Sequence, residues 1–302
     1  MIEVRVPASS ANIGSGFDCF GIALSLYNTI RVSETEKGLY IVNSNTQEFI
    51  PNGERNLIYR SVMRVFDEVG YTKKGLKISQ YSNIPMTRGL GSSSACIVGG
   101  LLAGNAISGR NLDMNRIFEL ADELEGHPDN VSAALFGGFC ISLRDEEGLF
   151  KNSIKITSQI EFLAMIPDYY MVTKKSRELL PQTVSIKDAS YNIAHASSLA
   201  AAFATGNFKN LNIYCRDMLH QKYRQEIVSD MDSIFKKCME LGALGVYLSG
   251  SGPTIIAIIN KGDKNIFDNI KDYFIKNNIK RKCLRLSIDN VGAVLREIND
   301  VN

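Results

Sequence analysis

Histidine is scarce in this chain, and ordered cysteine spacing is absent. Among 302 residues there are three histidines, His127, His195 and His220, none spaced as a pair of metal ligands. The six cysteines (Cys19, Cys96, Cys140, Cys215, Cys238 and Cys283) form no Cys-x-x-Cys pair. A zinc constellation is thereby excluded, and cysteines set singly among apolar neighbours read as free thiols in a reducing compartment. Surplus charge is lacking as well. Lys and Arg number 34 against 32 Asp and Glu, and no basic run occurs, which gives no case for nucleic acid or a membrane surface as partner. No apolar stretch is long and clean enough to span a bilayer. The opening MIEVRVPAS holds no signal-peptide core, so the expected location is cytoplasmic. Neither serine-rich turn has the G-x-S-x-G spacing of a hydrolase elbow. What remains, 45% hydrophobic and 22% charged without repeats, is ordinary for one large globular domain or two modest ones.

The strongest chemistry lies in Pro85–Gly109, PMTRGLGSSSACIVGGLLAGNAISG. Gly89 and Gly91 bracket Leu90, Ser92, Ser93 and Ser94 follow, and a small, apolar run then reads as a buried helix. A glycine turn feeding a helix through serines can hold an anion. The first helical N–H groups are free, the dipole adds partial positive charge, and missing side chains let a phosphate approach the backbone. The segment lacks the lysine that closes the common phosphate loop. Taken alone, it reads equally as a glycine turn capping a core helix.

Ile2, Val4 and Val6 alternate with polar residues and predict a first strand ending at Pro7. In the following ASSANIGSGFDCFGIAL, Asn12 and Asp18 are either turn residues or polar groups of a site. Further expectations are a strand near residues 24–32, a helix over 55–70 ending at Gly70, and a strand over 76–81 that delivers the chain to Pro85. A helix over 114–125 follows, with Asp113 as its N-cap. Pro128 disfavours helix at His127, so a turn is expected there. Glu123, Glu125, His127, Asp129 and Asn130 crowd this point before an apolar run, which favours a site over a solvated face. Residues 151–161 show no period and mark the candidate domain boundary. Beyond them the pattern predicts a strand at 162–166, helices at 185–205, 208–227, 230–241 and 266–275, and a last strand at 283–288. Between these, GVYLSGSGPTIIAIIN sets two strands across a Ser-Gly-Ser-Gly-Pro turn.

Three segments in this order, PASSANIGSGFD at 7–18, GLGSSS at 89–94 and SGSGP at 249–253, resemble the signature motifs of the GHMP small-molecule kinases. That family is named for galactokinase, homoserine kinase, mevalonate kinase and phosphomevalonate kinase. EGHPDNVSAALFGG, the run from Arg177 to Pro181, and LHQKYR at 219–224 are most similar to its homoserine-phosphorylating branch. The resemblance implies an α+β chain of two domains. One is a ribosomal protein S5-like, ATP-binding domain over 1–158; the other, over 159–302, is ferredoxin-like with added helices. It implies ATP- and magnesium-dependent phosphorylation of the side-chain hydroxyl of L-homoserine, in threonine biosynthesis, and family tendency adds a homodimer. It also implies roles. ATP falls to Asn56, Pro85, Arg88, Gly89, Leu90, Gly91, Ser92, Ser93 and Ser94, and magnesium to Ser93 and Glu125, with Glu123 as fallback. The amino acid falls to Asn12, Asp18, His127, Arg177, Arg224 and Gly250, the arginine forks matching its carboxylate. Arg177 and Asn130 stand at the reacting groups, Asn130 where sister enzymes carry a proposed base. The alternatives are a sister kinase acting on mevalonate or a related alcohol, and a catalytically silent regulator that binds nucleotide or ligand.

Overall fold

The computed structural model describes residues 1–44, 50–109, 112–156 and 159–299. Strand β1 (Ile2–Ala11) runs into β2 (Phe20–Thr35) and the edge strand β3 (Gly38–Ser44). Helix α1 (Leu57–Val69) starts where Asn56 accepts from the N–H groups of Ile58 and Tyr59, and ends at left-handed Gly70. Next come β4 (Gly75–Ser82), α2 (Ser92–Ser108), α3 (Met114–Glu125), α4 (Pro128–Phe136) and the hairpin β5 (Phe139–Asp145) and β6 (Gly148–Ile154). The second half opens with β7 (Ile160–Pro167), short α5 (Thr173–Glu178), long α6 (Ile186–Thr205) and two single turns, α7 (Leu211–Tyr214) and α8 (Gln221–Arg224). It closes with α9 (Met231–Glu240), β8 (Gly245–Leu248), β9 (Ile255–Asn260), α10 (Lys264–Lys276), β10 (Arg281–Leu286) and β11 (Val294–Glu297).

Among the described residues the strands form two sheets. The first runs β11-β1-β2-β4-β3, with the β5–β6 hairpin attached to one end of β2. The second runs β10-β7-β9-β8, antiparallel throughout. Its chain order, strand, helices, two strands, helix, strand, is the ferredoxin-like split βαβ pattern, with α5 to α8 added after the first strand. Helix α2 packs against α1, β1 and β2. It is small and apolar on every side, so Ala95, Ile97, Val98, Leu101 and Ala103 are all fully buried. That burial fixes the axis of α2, and with it the direction in which its N-terminus points.

Several expectations are corrected. β1 continues through Pro7 to Ala11; its pairing with β2 shifts register between Pro7 and Ala8, where proline's missing N–H breaks the ladder. Extended His127 caps a new helix rather than a turn, because Pro128 occupies its first position, where no N–H is needed. The helix expected over 208–227 is broken into α7 and α8. The Asp217 carboxylate takes the N–H groups of Leu219, His220 and Gln221, and Asn192 takes that of Met218. Residues 151–154 belong to β6, and the expected division after residue 158 lies outside the described residues. β11 lies beyond the last strand expected, in the span assigned to the second domain, and is hydrogen-bonded to β1 in the first sheet.

Candidate active site

The free end of α2 is a platform of backbone donors. Gly91 caps it in the left-handed conformation (φ 67°), and among the described residues no side chain satisfies the first N–H groups of Ser92, Ser93 and Ser94. Two close approaches hold the loop in place. A Cβ on Gly91 would collide with the Ser9 hydroxyl, and one on Gly89 with the carbonyls of Ser249 and Gly252. The Ser249 hydroxyl also donates to the Gly89 carbonyl. The two glycine loops, far apart in sequence, therefore pack backbone against backbone.

Glu125, the last residue of α3, accepts from Ser93 Oγ at 2.7 Å and Ser94 Oγ at 2.8 Å. Glu123 points elsewhere: it pairs with Arg64 and Arg116 in an exposed cluster. Beyond Glu125, His127 Nδ1 lies 2.8 Å from Asp129 Oδ1. Burial alone would lower the His127 pKa, but the hydrogen bond and charge of Asp129, with Glu125 behind them, raise it. Asn130 donates its backbone N–H to Asp129 Oδ1, and its own Oδ1 accepts from the Ser9 hydroxyl at 2.9 Å.

The opposite wall comes from the second half of the chain. Arg177, on α5, forks onto Asp18 with bonds of 2.8 and 2.6 Å. Arg224, on α8, is 1% exposed. It donates to Ser176 Oγ at 2.8 Å and His220 Nδ1 at 2.6 Å, and no carboxylate among the described residues pairs with it. Burial, then the neighbouring charge of Arg177, lowers its pKa to about 10. Both guanidinium groups lie over the Phe17 ring, at 5.7 Å for Arg177 and 5.6 Å for Arg224. Asn12 joins the halves: Nδ2 donates to the Gly250 carbonyl and Oδ1 accepts from the Asp18 N–H.

Both walls enclose one cavity of about 270 Å³. Asn12, Asp18, Asn56, Arg88, Gly89, Gly91, Ser92, Ser93, Glu125, His127, Asn130, Arg177, Arg224 and Gly250 all line it. Pro85, Leu90 and Ser94 are not on its wall; Leu90 and Ser94 are buried behind the loop. Two expected nucleotide ligands have committed side chains. The Asn56 amide caps α1 and donates to the Pro51 carbonyl. The Arg88 guanidinium donates to the carbonyls of Met86, Pro167 and Asp168, which ties the central loop to the end of β7. Sequence reasoning gave no role to Phe17, Ser176 or His220. For His220 a signal existed, its position four residues before Arg224, one helical turn away.

The geometry therefore brings a helix N-terminus with no side-chain cap and a buried cation with no carboxylate partner, among the described residues, to the lining of one cavity. Known proteins resemble the chain as a whole. The model of the GHMP kinases N terminal domain matches residues 56–138, and that of the GHMP kinases C terminal domain matches 199–276. A homoserine kinase of Clostridium botulinum (strain Alaska E43 / Type E3) is 45% identical over 296 residues, covering 98% of each chain. One from Clostridium beijerinckii is 42% identical, over 98% of this chain and 99% of its own. The crystal structure of homoserine kinase from Cytophaga hutchinsonii superposes with a TM-score of 0.86 at 25% identity, covering 98% of this chain and 97% of that one. With both domain models matched in order on either side of the cavity, and relatives aligned from end to end, the chain belongs to the GHMP kinase family.

Proposed function

We propose that the protein transfers the γ-phosphoryl group of ATP to the side-chain hydroxyl of L-homoserine, giving O-phospho-L-homoserine and ADP. One observation carries the substrate side of this reading: Arg224 is buried at the cavity wall with no carboxylate paired to it among the described residues, and an α-carboxylate supplies one. Arg177 shares that carboxylate, and Asp18, already beside Arg177, takes the ammonium group. Mevalonate has no ammonium, so it would leave Asp18 without that partner. The polyphosphate lies along the N–H groups of Gly91 to Ser94. The base and ribose rest on the wall formed by Asn56, Leu57, Ile58 and Met86.

Ser93 and Glu125 offer one hydroxyl and one carboxylate oxygen at the cavity edge, a hard-oxygen pair that fits magnesium completed by phosphates and water. When bound, the ion neutralises charge on the phosphates. Asn130, held by Ser9, orients the attacking hydroxyl; an amide cannot take its proton at neutral pH. Phosphoryl transfer passes through a loose transition state, so the hydroxyl proton leaves late, to the transferred phosphate. Asn130 and Arg177 thus act by positioning and charge. All six cysteines are free, which supports a reducing, cytoplasmic setting, and none of the described helices is long and apolar enough to cross a membrane. A homodimer, on family tendency, is read by light scattering.

The deciding experiment offers L-homoserine, D-homoserine, L-serine and mevalonate to the purified protein with magnesium-ATP and follows ADP release. Turnover confined to L-homoserine, with its phosphate ester among the products, is the expected outcome. Activity on mevalonate would overturn the pocket assignment. Nucleotide binding without turnover of any of the four would make the protein a regulator.

A further inference from the structure

Arg224 is oriented by a group that leaves its charge intact. A guanidinium only donates, so the 2.6 Å contact between Arg224 Nη1 and His220 Nδ1 makes Nδ1 the acceptor and the imidazole neutral. The remaining proton is then on Nε2, which lies 2.7 Å from the Gly14 carbonyl and donates to it. Gly14 belongs to the glycine-rich stretch of the first half, so the ring is fastened at both nitrogens, one to each half of the chain. Phe17 stacks on the same ring, with centroids 5.3 Å apart, and carries both arginines on its faces. Nothing in this set neutralises Arg224. The nearest buried carboxylate, Asp217, sits 3.7 Å from His220 Nε2 and is consumed by the backbone N–H groups of Leu219, His220 and Gln221 and the Asn192 amide. Asp18 acts on His220 only through space, and its oxygens are forked onto Arg177. Burial, foremost, keeps the imidazole pKa below its ordinary value.

We propose that His220 is a positioning residue for substrate recognition: its neutral Nε2–H tautomer aims the Arg224 fork at the carboxylate of the amino-acid substrate while leaving the positive charge of Arg224 unspent. A carboxylate in the same place would orient the guanidinium equally well but would neutralise it with an internal ion pair that the substrate carboxylate has to compete with. An imidazole orients without competing, and that distinction makes this position a determinant of specificity for a carboxylate-bearing alcohol. The proposal rests on the reading of the cavity as a site for homoserine.

The test compares L-homoserine with 3-aminopropan-1-ol, which keeps the hydroxyl and ammonium and lacks the carboxylate. His220→Gln sets its amide at the Nε2 position, where it keeps a donor for Gly14 and leaves no acceptor at the Nδ1 position; His220→Asn restores an acceptor there. For His220→Gln, KM for L-homoserine rises by about 10- to 100-fold, the effect of losing a charge-assisted hydrogen bond, while KM for ATP is unchanged. The same variant uses 3-aminopropan-1-ol as well as wild type does, and His220→Asn recovers most of the loss on L-homoserine. Equal losses on both substrates, or no loss on L-homoserine, overturn the proposal and leave the kinase reading standing. Absence of L-homoserine turnover in wild type overturns the kinase reading itself. A measurement on the wild type covers the case in which His220→Gln does not fold. Nitrogen-15 spectra of the histidine side chains give the Nε2–H tautomer for His220 between pH 6 and 8; an imidazolium or an Nδ1–H form there overturns the proposal.

Discussion

Two side chains divide the chemistry at the scale of the residue. Arg224 donates through Nε to Ser176 and through Nη1 to His220, with the Gly250 carbonyl 3.5 Å from the same Nη1, which leaves Nη2 and the positive charge oriented for one anion. Lysine at this position keeps the charge but loses the fork and both ties, so Arg224→Lys raises KM for L-homoserine by about a hundredfold and leaves KM for ATP alone, as steady-state kinetics with each substrate varied will show. Glu125 is bound to both Ser93 and Ser94 at the phosphate end. Glu125→Gln lowers kcat by on the order of a hundredfold or more and raises the magnesium concentration needed for half-maximal rate. Asn130→Ala, by contrast, loses clearly less, because an amide held by Ser9 orients the hydroxyl but takes no proton. Equal losses in the two variants would contradict a mechanism without a base.

At the scale of the element, the central loop keeps its shape because a second loop is pressed against it. Gly89 has φ 75°, and a methyl group there would collide with the carbonyls of Ser249 and Gly252. Gly89→Ala therefore destabilises the protein by about 1–3 kcal/mol and weakens ATP binding, measurable by urea titration and by nucleotide titration of the same preparation. Away from the cavity, α1 and α3 are laced by Arg64, Glu68, Arg116, Glu119 and Glu123. Hydrogen bonds from Arg116, then Arg64, lower the Glu68 pKa to about 2. Because the folded pKa is depressed, its stabilisation is complete above the unfolded value and is lost as pH falls through about 2. The group is exposed, so solvent limits the effect to about 1 kcal/mol or less. In urea titrations, wild type exceeds Glu68→Gln by that amount at pH 6, and the gap narrows from pH 4.5 down towards pH 2.

For the whole molecule, the two halves are not independent in their strands. β11 arrives from the far end of the chain to pair with β1, from Ile2 opposite Glu297 to Arg5 opposite Val294. Asp289 reinforces the return, accepting from Tyr27 and from the N–H groups of Val291 and Gly292. We propose a division of the chain after residue 158 as the boundary between two folding regions, with this returning strand as their shared element. A fragment of residues 1–158 then leaves the β1 edge bare and half of the cavity missing. Expressed alone it aggregates or remains partly unfolded by circular dichroism, and supplying residues 159–302 as a second chain restores a folded, nucleotide-binding complex. The intact chain unfolds in urea as one cooperative transition, followed by both circular dichroism and tyrosine fluorescence.

What the sequence determined by itself was everything governed by local period and local chemistry. The α3 pattern, its Asp113 cap and the Gly70 stop of α1 are properties of a few adjacent residues, and they appear in the structure where the spacing puts them. The three motif segments were legible in the same way, because each glycine-rich turn declares itself. Their convergence on one cavity was not. Gly89 against Ser249, Asn12 against Gly250 and Asp18 against Arg177 are contacts between residues about 160 to 240 positions apart, and no periodicity encodes them. Tertiary structure decided that Asp18 is spent on Arg177, whereas Asp217 is spent locally, on N–H groups two to four residues further on. Asp217 is used on backbone N–H groups, which broke an expected helix and left Arg224 with a neutral histidine beside it. The physical reason is burial: inside the protein each charge and each N–H must find its partner in the fold, and a partner distant in sequence can outbid a local one.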